Sequence, residues 1–413
     1  MTPHRRTAAA TLLAMALLTG CAPTANAPDG AASGTSQDAS SSDSASDLRA
    51  DTPGTSSTMP PASPATASGE PRTVTINTSG DLLWNEPLFD AARTGGGFDF
   101  RPMLASVRPF VAAADLAVCH QEVPLAAPGG PYTGWPRFRA PQQTVAAVVD
   151  AGFDVCTTAS NHTVDDGWDG MVRTHDALRA AGVGVAGTST TPGEDQAPDL
   201  FTTADGVVVG IVSQTFSTNL IPVPEGREWS VDLLDPDRAI ADAHAAREAG
   251  ADVVVFHMHA GDEYVRIPNE DQRWMANQVT ASGEVDLVIG QHPHWVQPVE
   301  KVNGVWVVYS TGNLIASMKG ERPGTHDGAI VEVAFREGDD GRFDATGVTW
   351  APTLITDADT DPTGRPRVLL IPDELPQAGP ELRGRLEESA ARTRVAIGSD
   401  NTPGLSERTS PGG

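Results

Sequence analysis

The stretch VDLVIGQHPH, residues 285–294, joins an apolar run to two histidines that flank a proline. A short apolar run that ends at a glycine is typical of a buried strand, which places His292 and His294 at the C-terminal end of that strand. In open α/β sheets, ligands bind at this edge. The two histidines therefore form a candidate metal site, and the alternative is a histidine-rich surface loop.

Strand-like and helix-like segments alternate along the chain before this stretch. The strand-like segments include RTVTINTSGD (72–81), ADLAVCHQE (114–122), DVCTTASNH (154–162) and DVVVFHMHAGDEY (252–264). The segments with helical periodicity include TVAAVVDAGF (144–153), GWDGMVRTHDALRAAG (167–182), DRAIADAHAAREAG (237–250) and DQRWMANQVTASG (271–283). Strands separated by helices predict mainly parallel pairing, with the helices packed on the faces of the sheet.

Three more strand-like segments follow without helices between them: GVWVVYSTGN (304–313), DGAIVEVAF (327–335) and DATGVTWAPTLIT (344–356). Parallel strands need long crossover connections, so we predict antiparallel pairing in this part of the chain. The expected fold class is α/β with mixed parallel and antiparallel strands.

The N-terminal residues 1–21, MTPHRRTAAATLLAMALLTGC, have the basic start and short apolar run of an export signal. The run ends in LTGC, which resembles a lipoprotein lipobox with Cys21 as the lipidated residue; the alternative is an ordinary cleaved signal peptide. We expect an extracytoplasmic lipoprotein, anchored to the outer face of the cell membrane through lipid on Cys21.

Residues 22–70 are rich in Ser, Ala, Thr, Pro and Asp, and such a segment cannot bury enough apolar surface to fold. We predict a disordered linker there, one folded domain over residues 71–397 and a flexible tail over residues 398–413. The formal net charge of −26 argues against a nucleic-acid partner, which needs a basic surface.

Polar residues gather where the predicted strands end. They are Asp81, Glu122, Asn161 with His162, His257 with His259, and His292 with His294. Random placement of polar residues on the surface would not put Asp, Glu, Asn or His at five separate strand ends. Oxygen and nitrogen donors from several strand ends are the set that a divalent metal site needs.

Six ordered motifs within residues 72–355 resemble those of the CapA family, named for bacterial poly-γ-glutamate capsule synthesis: SGDLLWNEPL, CHQEVPL, TASNHTVDDGWDG, HAGDEY, GQHPHWVQPVE and YSTGN. That family is regarded as related to the calcineurin-like metallophosphoesterases. The resemblance implies their fold, a pair of packed mixed sheets flanked by helices. It also places Asp81, Glu122, Asn161, His162, His259, His292 and His294 where the superfamily keeps its two-metal site.

We therefore expect one or two divalent ions, with Mn, Fe or Zn as the expected metals. The expected ligands fall into two groups that share Glu122 as a bridge: Asp81, Glu122 and His294 around one ion, and Glu122, Asn161, His259 and His292 around the other. His162 is then free to protonate a leaving group or to orient the substrate. Asp165 is a second candidate catalytic residue, and its alternative role is the N-cap of the following helix.

The chain departs from the pattern of this superfamily at several positions. Typical metallophosphoesterases have a histidine at the position of Leu83 and an acid at that of Thr163, and the CapA family commonly has a tryptophan at that of Ala260. The first metal position is weakened unless His120 or Asn85 supplies a donor. A one-metal site, and a site that binds without turnover, both stay open.

Further polar residues near the motifs are expected to contact the substrate or to support the metal ligands: His120, His257, Glu263, Tyr264 and Asn313. For Asn313 the alternative is hydrogen bonding within its loop. Cys119 and Cys156 lie near the ends of two strands, and neighbouring strands would bring them within disulfide distance. A disulfide and a pair of buried thiols are the two possibilities.

Two functions fit these observations. The first is a metal-dependent, phosphoesterase-like hydrolase that acts in the metabolism of poly-γ-glutamate, capsule or another cell-envelope polymer. The second is a non-catalytic capsule-assembly or polymer-binding protein that uses the same metal cleft. The expected partners are an anionic cell-envelope polymer or a phosphoester substrate, and the membrane through the lipid anchor only.

Overall fold

The computed structural model describes residues 70–318, 322–398 and 402–412. The predicted signal peptide, lipobox and nearly all of the predicted linker lie outside these residues. Within the described ranges the chain forms seventeen strands: β1 (Thr73–Leu82), β2 (Arg93–Thr94), β3 (Gly97–Phe98), β4 (Leu116–His120), β5 (Val155–Thr157), β6 (Gly184–Ala186), β7 (Leu200–Thr202), β8 (Val208–Thr215), β9 (Val253–His259), β10 (Leu287–Gln291), β11 (Val299–Val302), β12 (Val305–Val308), β13 (Asn313–Ile315), β14 (Asp327–Glu337), β15 (Phe343–Ile355), β16 (Val368–Leu370) and β17 (Leu405–Glu407).

The same ranges contain ten α-helices: α1 (Glu86–Ala92), α2 (Arg101–Leu104), α3 (Arg108–Val111), α4 (Thr144–Ala151), α5 (Gly167–Ala180), α6 (Pro192–Asp195), α7 (Pro236–Glu248), α8 (Glu270–Ala281), α9 (Ile371–Glu374) and α10 (Pro380–Ile397). Helices α4, α5, α7 and α8 coincide with the four predicted helical segments. In the described part of the chain, no helix is both long and apolar enough to cross a membrane.

Fifteen of the strands form two mixed sheets, as the sequence predicts, and β2 and β3 pair with each other separately. The first sheet has the order β16-β15-β14-β1-β4-β5-β6, with β13 beside β1 and β17 beside β15. The second sheet has the order β11-β12-β10-β9-β8-β7. Pairing is parallel in the series β1-β4-β5-β6 and β8-β9-β10-β12, and antiparallel in β1-β14-β15.

Alternation along β9 shows how the sheets pack. Val253 and Val255 contact an apolar cluster that also contains Ile76 of the first sheet. Val254 and Phe256 lie on the opposite face and pack in the cluster that includes helices α7 and α8. Side chains two residues apart in a strand share a face. His257 and His259, at the end of β9, therefore lie on the same face as Val253 and Val255 and point toward the first sheet.

Two glycines allow strand ends to approach neighbouring loops closely. A Cβ atom on Gly80 would lie 2.3 Å from the carbonyl oxygen of Gly312, and one on Gly290 would lie 2.2 Å from that of Tyr309. Any side chain at either position would clash with the backbone. Both glycines directly precede polar strand-end residues, so they bring those residues close to the opposite loop.

The C-terminal third differs from the sequence prediction in two places. Strand β12 pairs antiparallel with β11, as expected for this part of the chain, but on its other side it lies parallel to β10, because the crossover from β10 runs through the loop that bears the histidine pair and through β11. Residues 402–412 were expected in a flexible tail. Instead, β17 pairs parallel with β15, and Glu407 Oε1 accepts a 2.7 Å hydrogen bond from Arg394 of α10.

Cys119 and Cys156 form a disulfide across the neighbouring strands β4 and β5, with their Cα atoms 4.5 Å apart. Both residues are buried on the outer face of the first sheet, among the apolar side chains that pack under α4 and α5. Of the two possibilities left by the sequence, the structure shows the disulfide.

Replacing both cysteines by alanine is expected to lower the free energy of unfolding by about 4 kcal/mol. The bridge closes a loop of 37 residues, and the chain-entropy model gives a stabilisation on the order of 4 kcal/mol for a loop of that length. Urea unfolding of the double variant and of the parent measures the difference. The reduced parent should unfold like the variant, and equal unfolding free energies of the variant and the oxidised parent would contradict the prediction.

Candidate metal centre

The strand ends of the two sheets meet at one buried cluster of polar residues. Asp81 ends β1, Glu122 follows β4 and Asn161 follows β5, all in the first sheet; His259 ends β9, and His292 and His294 follow β10 in the second. All six are at most 4 % exposed. The structure thus brings together the six residues that the sequence predicts as metal ligands, three from each sheet.

The first predicted group is compact. Nδ1 of His294 lies 3.1 Å from Oδ2 of Asp81, and Nε2 of the same ring lies 3.6 Å from Oε1 of Glu122. One donor atom from each of the three residues lies within 4.8 Å of the other two. This spacing is compatible with ligands that share one ion.

The second predicted group has the same spacing. Glu122, His259 and His292 offer donor atoms within 4.8 Å of one another, and Oδ1 of Asn161 lies 2.8 Å from Nε2 of His259. Glu122 belongs to both groups, as a bridging carboxylate must. The structure therefore supplies the geometry of the predicted assignment, and ligation itself stays a prediction.

The donor atoms fit a cation because they are buried without partners. Within the described residues, no hydrogen bond reaches Oδ1 of Asp81, either carboxylate oxygen of Glu122, Nδ1 of His259 or Nδ1 of His292. A buried polar atom without a partner costs roughly 1–3 kcal/mol, and a charged one costs more. A divalent ion would satisfy all of these atoms, and mixed carboxylate and imidazole donors suit a transition metal.

The electrostatics of the cluster agree with this fit. Burial lowers the pKa of His259 and of His292 well below its usual value, so both rings are neutral and able to ligate. Burial raises the pKa of Glu122 well above its usual value. Burial would also lower the pKa of His294, but the charge of Glu122 and the contact with Asp81 raise it to about 10.

The loops that bear the histidines hold unusual backbone conformations. His292 has a φ of 101°, His294 of 54° and Tyr264 of 63°, in the region that residues with a Cβ atom rarely adopt. The backbone N–H of Tyr264 donates to the carbonyl oxygen of Pro293 at 2.8 Å, which joins the two loops. Strained conformations of this kind cluster at ligand sites, where the surrounding structure stabilises them.

His162 and Asp165 form a hydrogen-bonded pair beside the cluster. Nδ1 of His162 lies 2.7 Å from Oδ2 of Asp165, which also accepts from the backbone N–H of Phe138 at 2.8 Å. The N-cap alternative for Asp165 is wrong, because α5 begins at Gly167 and its N-cap is Asp166. Asp165 is a positioning residue that fixes the ring of His162.

The remaining predicted residues are close to the cluster, in different roles. Oδ1 of Asn313 lies 2.9 Å from Nδ1 of His294, so it orients that ring. Glu263 is exposed and forms a donor group with His292 and His294, and the ring of Tyr264 lies 6.1 Å from that of His294. The amide of Asn85 bonds the backbone of Ser317 on both sides, which fixes its orientation.

Two buried histidines lie on the inner side of the cluster. Burial lowers the pKa of His120 and that of His257 to about 3, so both rings are neutral. Nδ1 of His120 lies 2.9 Å from Oγ1 of Thr157, and Nδ1 of His257 lies 3.0 Å from Oγ of Ser213. Neither ring is among the residues that line the cleft, and support of the metal ligands stays a prediction for both.

A cleft of about 690 Å³ opens beside the cluster. His162, Asn161 and His294 lie at its inner end, and Arg137 and the highly exposed Trp135 lie on its rim. Clefts of this size bind small molecules or a short polymer segment. The chain therefore places a candidate acid, a candidate metal cluster and a substrate-sized space side by side.

Sequence reasoning missed Asn219 in this site. Its Oδ1 accepts from Nδ2 of Asn161 at 3.2 Å, and its own amide nitrogen lies 3.3 Å from Nδ1 of His162. Asn219 thus links a predicted ligand to the predicted acid. It lies in an irregular loop after β8, and the sequence of that loop has no periodicity or motif that would have singled it out.

Residues 75–318 match the family model described as bacterial capsule synthesis protein PGA_cap, which covers more than half of the chain. The chain belongs to this family. Among curated proteins, the PGA_cap domain is similar to PGA biosynthesis protein CapA of Bacillus subtilis (strain 168), with 28% identity over 207 residues, 50% of this chain and 53% of that protein. It is also similar to capsule biosynthesis protein CapA of Bacillus anthracis, with 29% identity over 201 residues, 48% of each chain. This chain matches about half the length of these relatives.

Among solved structures, this PGA_cap protein is similar to the calcineurin-like phosphoesterase YfkN from Bacillus subtilis, with a TM-score of 0.44, 12% identity and coverage of 78% of this chain and 98% of that one. It is also similar to the NAD nucleotidase NadN of Haemophilus influenzae, with a TM-score of 0.44, 13% identity and coverage of 83% and 65%. Likeness at this level says nothing about activity.

Proposed function

We propose that this PGA_cap protein is a metal-dependent hydrolase that cleaves a phosphoester or a related bond in capsule or cell-envelope polymer metabolism. One observation carries the proposal: two donor groups that share Glu122 lie directly beside a cleft that His162 also lines. The names of the curated relatives, which concern capsule biosynthesis, support the setting.

The residues of the chain have complementary roles in this proposal. When bound, divalent ions would polarise the scissile group and make hydroxide available near neutral pH. Asp81, Glu122, Asn161, His259, His292 and His294 would hold them. His162 faces the cleft and would donate a proton to the leaving oxygen. Asp165 accepts the hydrogen bond from Nδ1 of His162, so the donated proton would come from Nε2 of the doubly protonated ring, which would be left neutral with its proton on Nδ1.

A metal and substrate panel tests the proposed activity. The purified full-length protein is analysed for bound metal and then assayed on phosphomonoesters and phosphodiesters with added Mn²⁺, Zn²⁺ or Mg²⁺. We expect bound metal and turnover that a chelator abolishes. A metal-replete protein that turns over no substrate in the panel would overturn the hydrolase proposal.

A non-catalytic role is the second candidate, and Leu83 and Thr163 favour it. These positions lack the histidine and the acid that typical members of the superfamily have there. In that role, the metal cluster and the cleft would hold an anionic polymer without cleaving it. Metal-dependent binding of poly-γ-glutamate by a protein without any turnover would support this candidate over the first.

We propose in addition that the protein is a lipoprotein held at the outer face of the cell membrane, on the basis of the pattern that ends at Cys21. Changing Cys21→Ser is expected to leave an exported protein without a lipid anchor. Cell fractionation should then find it in the medium or the soluble envelope fraction. A variant that stays with the membrane as the parent does would contradict the proposal.

A further inference from the structure

His120 is a buried imidazole that lies outside both predicted donor groups. It is the last residue of β4, it is 1 % exposed, and its ring centre lies 4.7 Å from that of His259. His257, on β9, is equally buried, and its ring centre lies 4.6 Å from that of His120. An apolar side chain would fill either position without burying polar atoms, so the presence of two imidazoles calls for a chemical reason.

The hydrogen bonds around His120 determine which of its nitrogens carries the proton. The hydroxyl of Thr157 lies 3.3 Å from the carbonyl oxygen of Cys119, to which it can donate, and 2.9 Å from Nδ1 of His120. In the tautomer that satisfies both contacts, Nδ1 donates to the hydroxyl oxygen and the hydroxyl donates to the carbonyl. Nε2 is left as a bare lone pair, and within the described residues it has no hydrogen-bond partner. A ring with one nitrogen fixed and the other free is the usual arrangement of a histidine that ligates a metal.

The lone pair is close to donors already in the cluster. His120 and Asp81 are register partners on the parallel strands β4 and β1, so their side chains share one face of the sheet. Asp81, His120 and His259 each offer a donor atom within 4.8 Å of the other two, and all three residues are buried. His257 is not part of any such group among the described residues.

We propose that Nε2 of His120 is a metal ligand on the ion that Asp81 would bind, with His259 of the second predicted group as the other neighbouring donor. It supplies from β4 the nitrogen donor that Leu83 does not provide after β1. This inference deepens the proposed function and rests on the same metal cluster. The extra imidazole makes the donor set richer in nitrogen, which favours transition metals such as Zn²⁺ and Fe²⁺ over Mg²⁺ and Ca²⁺.

Cobalt binding to the full-length protein tests this assignment without any substrate. The protein is stripped with a chelator and titrated with Co²⁺, and the visible absorption of the bound ion reports its donor set while elemental analysis gives the metal content per chain. His120→Gln is expected to lower the affinity by at least 10- to 100-fold, the range typical of losing even an outer-sphere partner, and to change the Co²⁺ spectrum. His175→Gln is the control that should keep the metal, since its ring is also buried and belongs to no donor group among the described residues. His257→Gln removes an equally buried, hydroxyl-bonded ring 4.6 Å from that of His120, and its affinity for Co²⁺ should fall less than that of His120→Gln.

Thr157→Val gives a second, milder variant. It keeps the ring of His120 and removes only the hydroxyl that fixes Nδ1, so the affinity for Co²⁺ should fall by roughly 10- to 100-fold. If circular dichroism shows that His120→Gln does not fold, the Thr157→Val variant tests the proposal in its place. An unchanged affinity for Co²⁺ in Thr157→Val would then overturn the proposal.

The remaining outcomes are also decisive. A folded His120→Gln protein with the affinity, stoichiometry and Co²⁺ spectrum of the parent would show that His120 is not a ligand. Loss of metal in His257→Gln but not in His120→Gln would show that His257 is the ligand and would overturn the proposal. A parent that binds metal but hydrolyses nothing would remove the proposed activity and leave His120 as a ligand, whereas a parent that binds no metal would remove both.

Discussion

The His162→Ala variant is expected to keep its metal and to lose about 10²- to 10⁴-fold in the rate of phosphoester hydrolysis, the usual contribution of a positioned acid or base. His162 lines the cleft, and Asp165 holds its Nδ1 at 2.7 Å, so the ring is fixed with its other nitrogen free for a substrate. Loss of this ring removes a proton donor and leaves the six predicted ligands in place.

Two measurements separate this role from a structural one. The loss of rate should shrink for substrates such as p-nitrophenyl phosphate, whose leaving group needs little protonation, and metal content should equal that of the parent. Asp165→Asn, which keeps the imidazole but disturbs its orientation, should lower the rate in the same direction. If His162→Ala instead loses its metal, the residue is a ligand, and the place given to Asn161 is wrong.

The His292→Ala variant is expected to bind metal much more weakly than the parent. His292 is neutral and 4 % exposed, its Nδ1 has no partner within the described residues, and it shares a donor group with Glu122 and His259. Removing a direct ligand should cost at least the 10- to 100-fold that the loss of an outer-sphere partner costs. Elemental analysis after dialysis against a weak chelator measures the effect.

His175→Ala is the control for this variant. His175 is also 4 % exposed, but it lies on α5, with Nδ1 3.3 Å from a carboxylate oxygen of Asp176, and it belongs to no donor group in the described chain. Its variant should retain the metal content of the parent. Equal metal content in both variants and the parent would contradict the assignment of His292.

The cluster could be predicted from the sequence because of a simple regularity of parallel sheets. Polar residues at the C-terminal ends of parallel strands lie at one edge of their sheet, as Asp81 and Glu122 do in the first sheet and His259 and His292 do in the second. The helices between those strands were visible from their periodicity, so the edge could be located. Neither inference required knowledge of which strand pairs with which.

Features that depend on register could not be predicted in this way. The contact of His120 with the donor group follows from its alignment with Asp81, which the sequence does not encode locally. Asp165 could have capped a helix, and only the start of α5 at Gly167 excludes that role. The pairing of β17 with β15 is likewise a long-range contact. The local sequence of β17 is typical of a loose tail and does not indicate that it pairs with the strand β15.

The division of the six predicted ligands, three from each sheet, has a consequence for the lifetime of the protein. A metal ion bound by both sides would cross-link the two sheets, so that part of its binding free energy would oppose their separation. Loss of the ion would raise the fraction of molecules in which the sheet edges open and expose backbone to proteases. In a cell short of that metal, the amount of this protein would therefore fall.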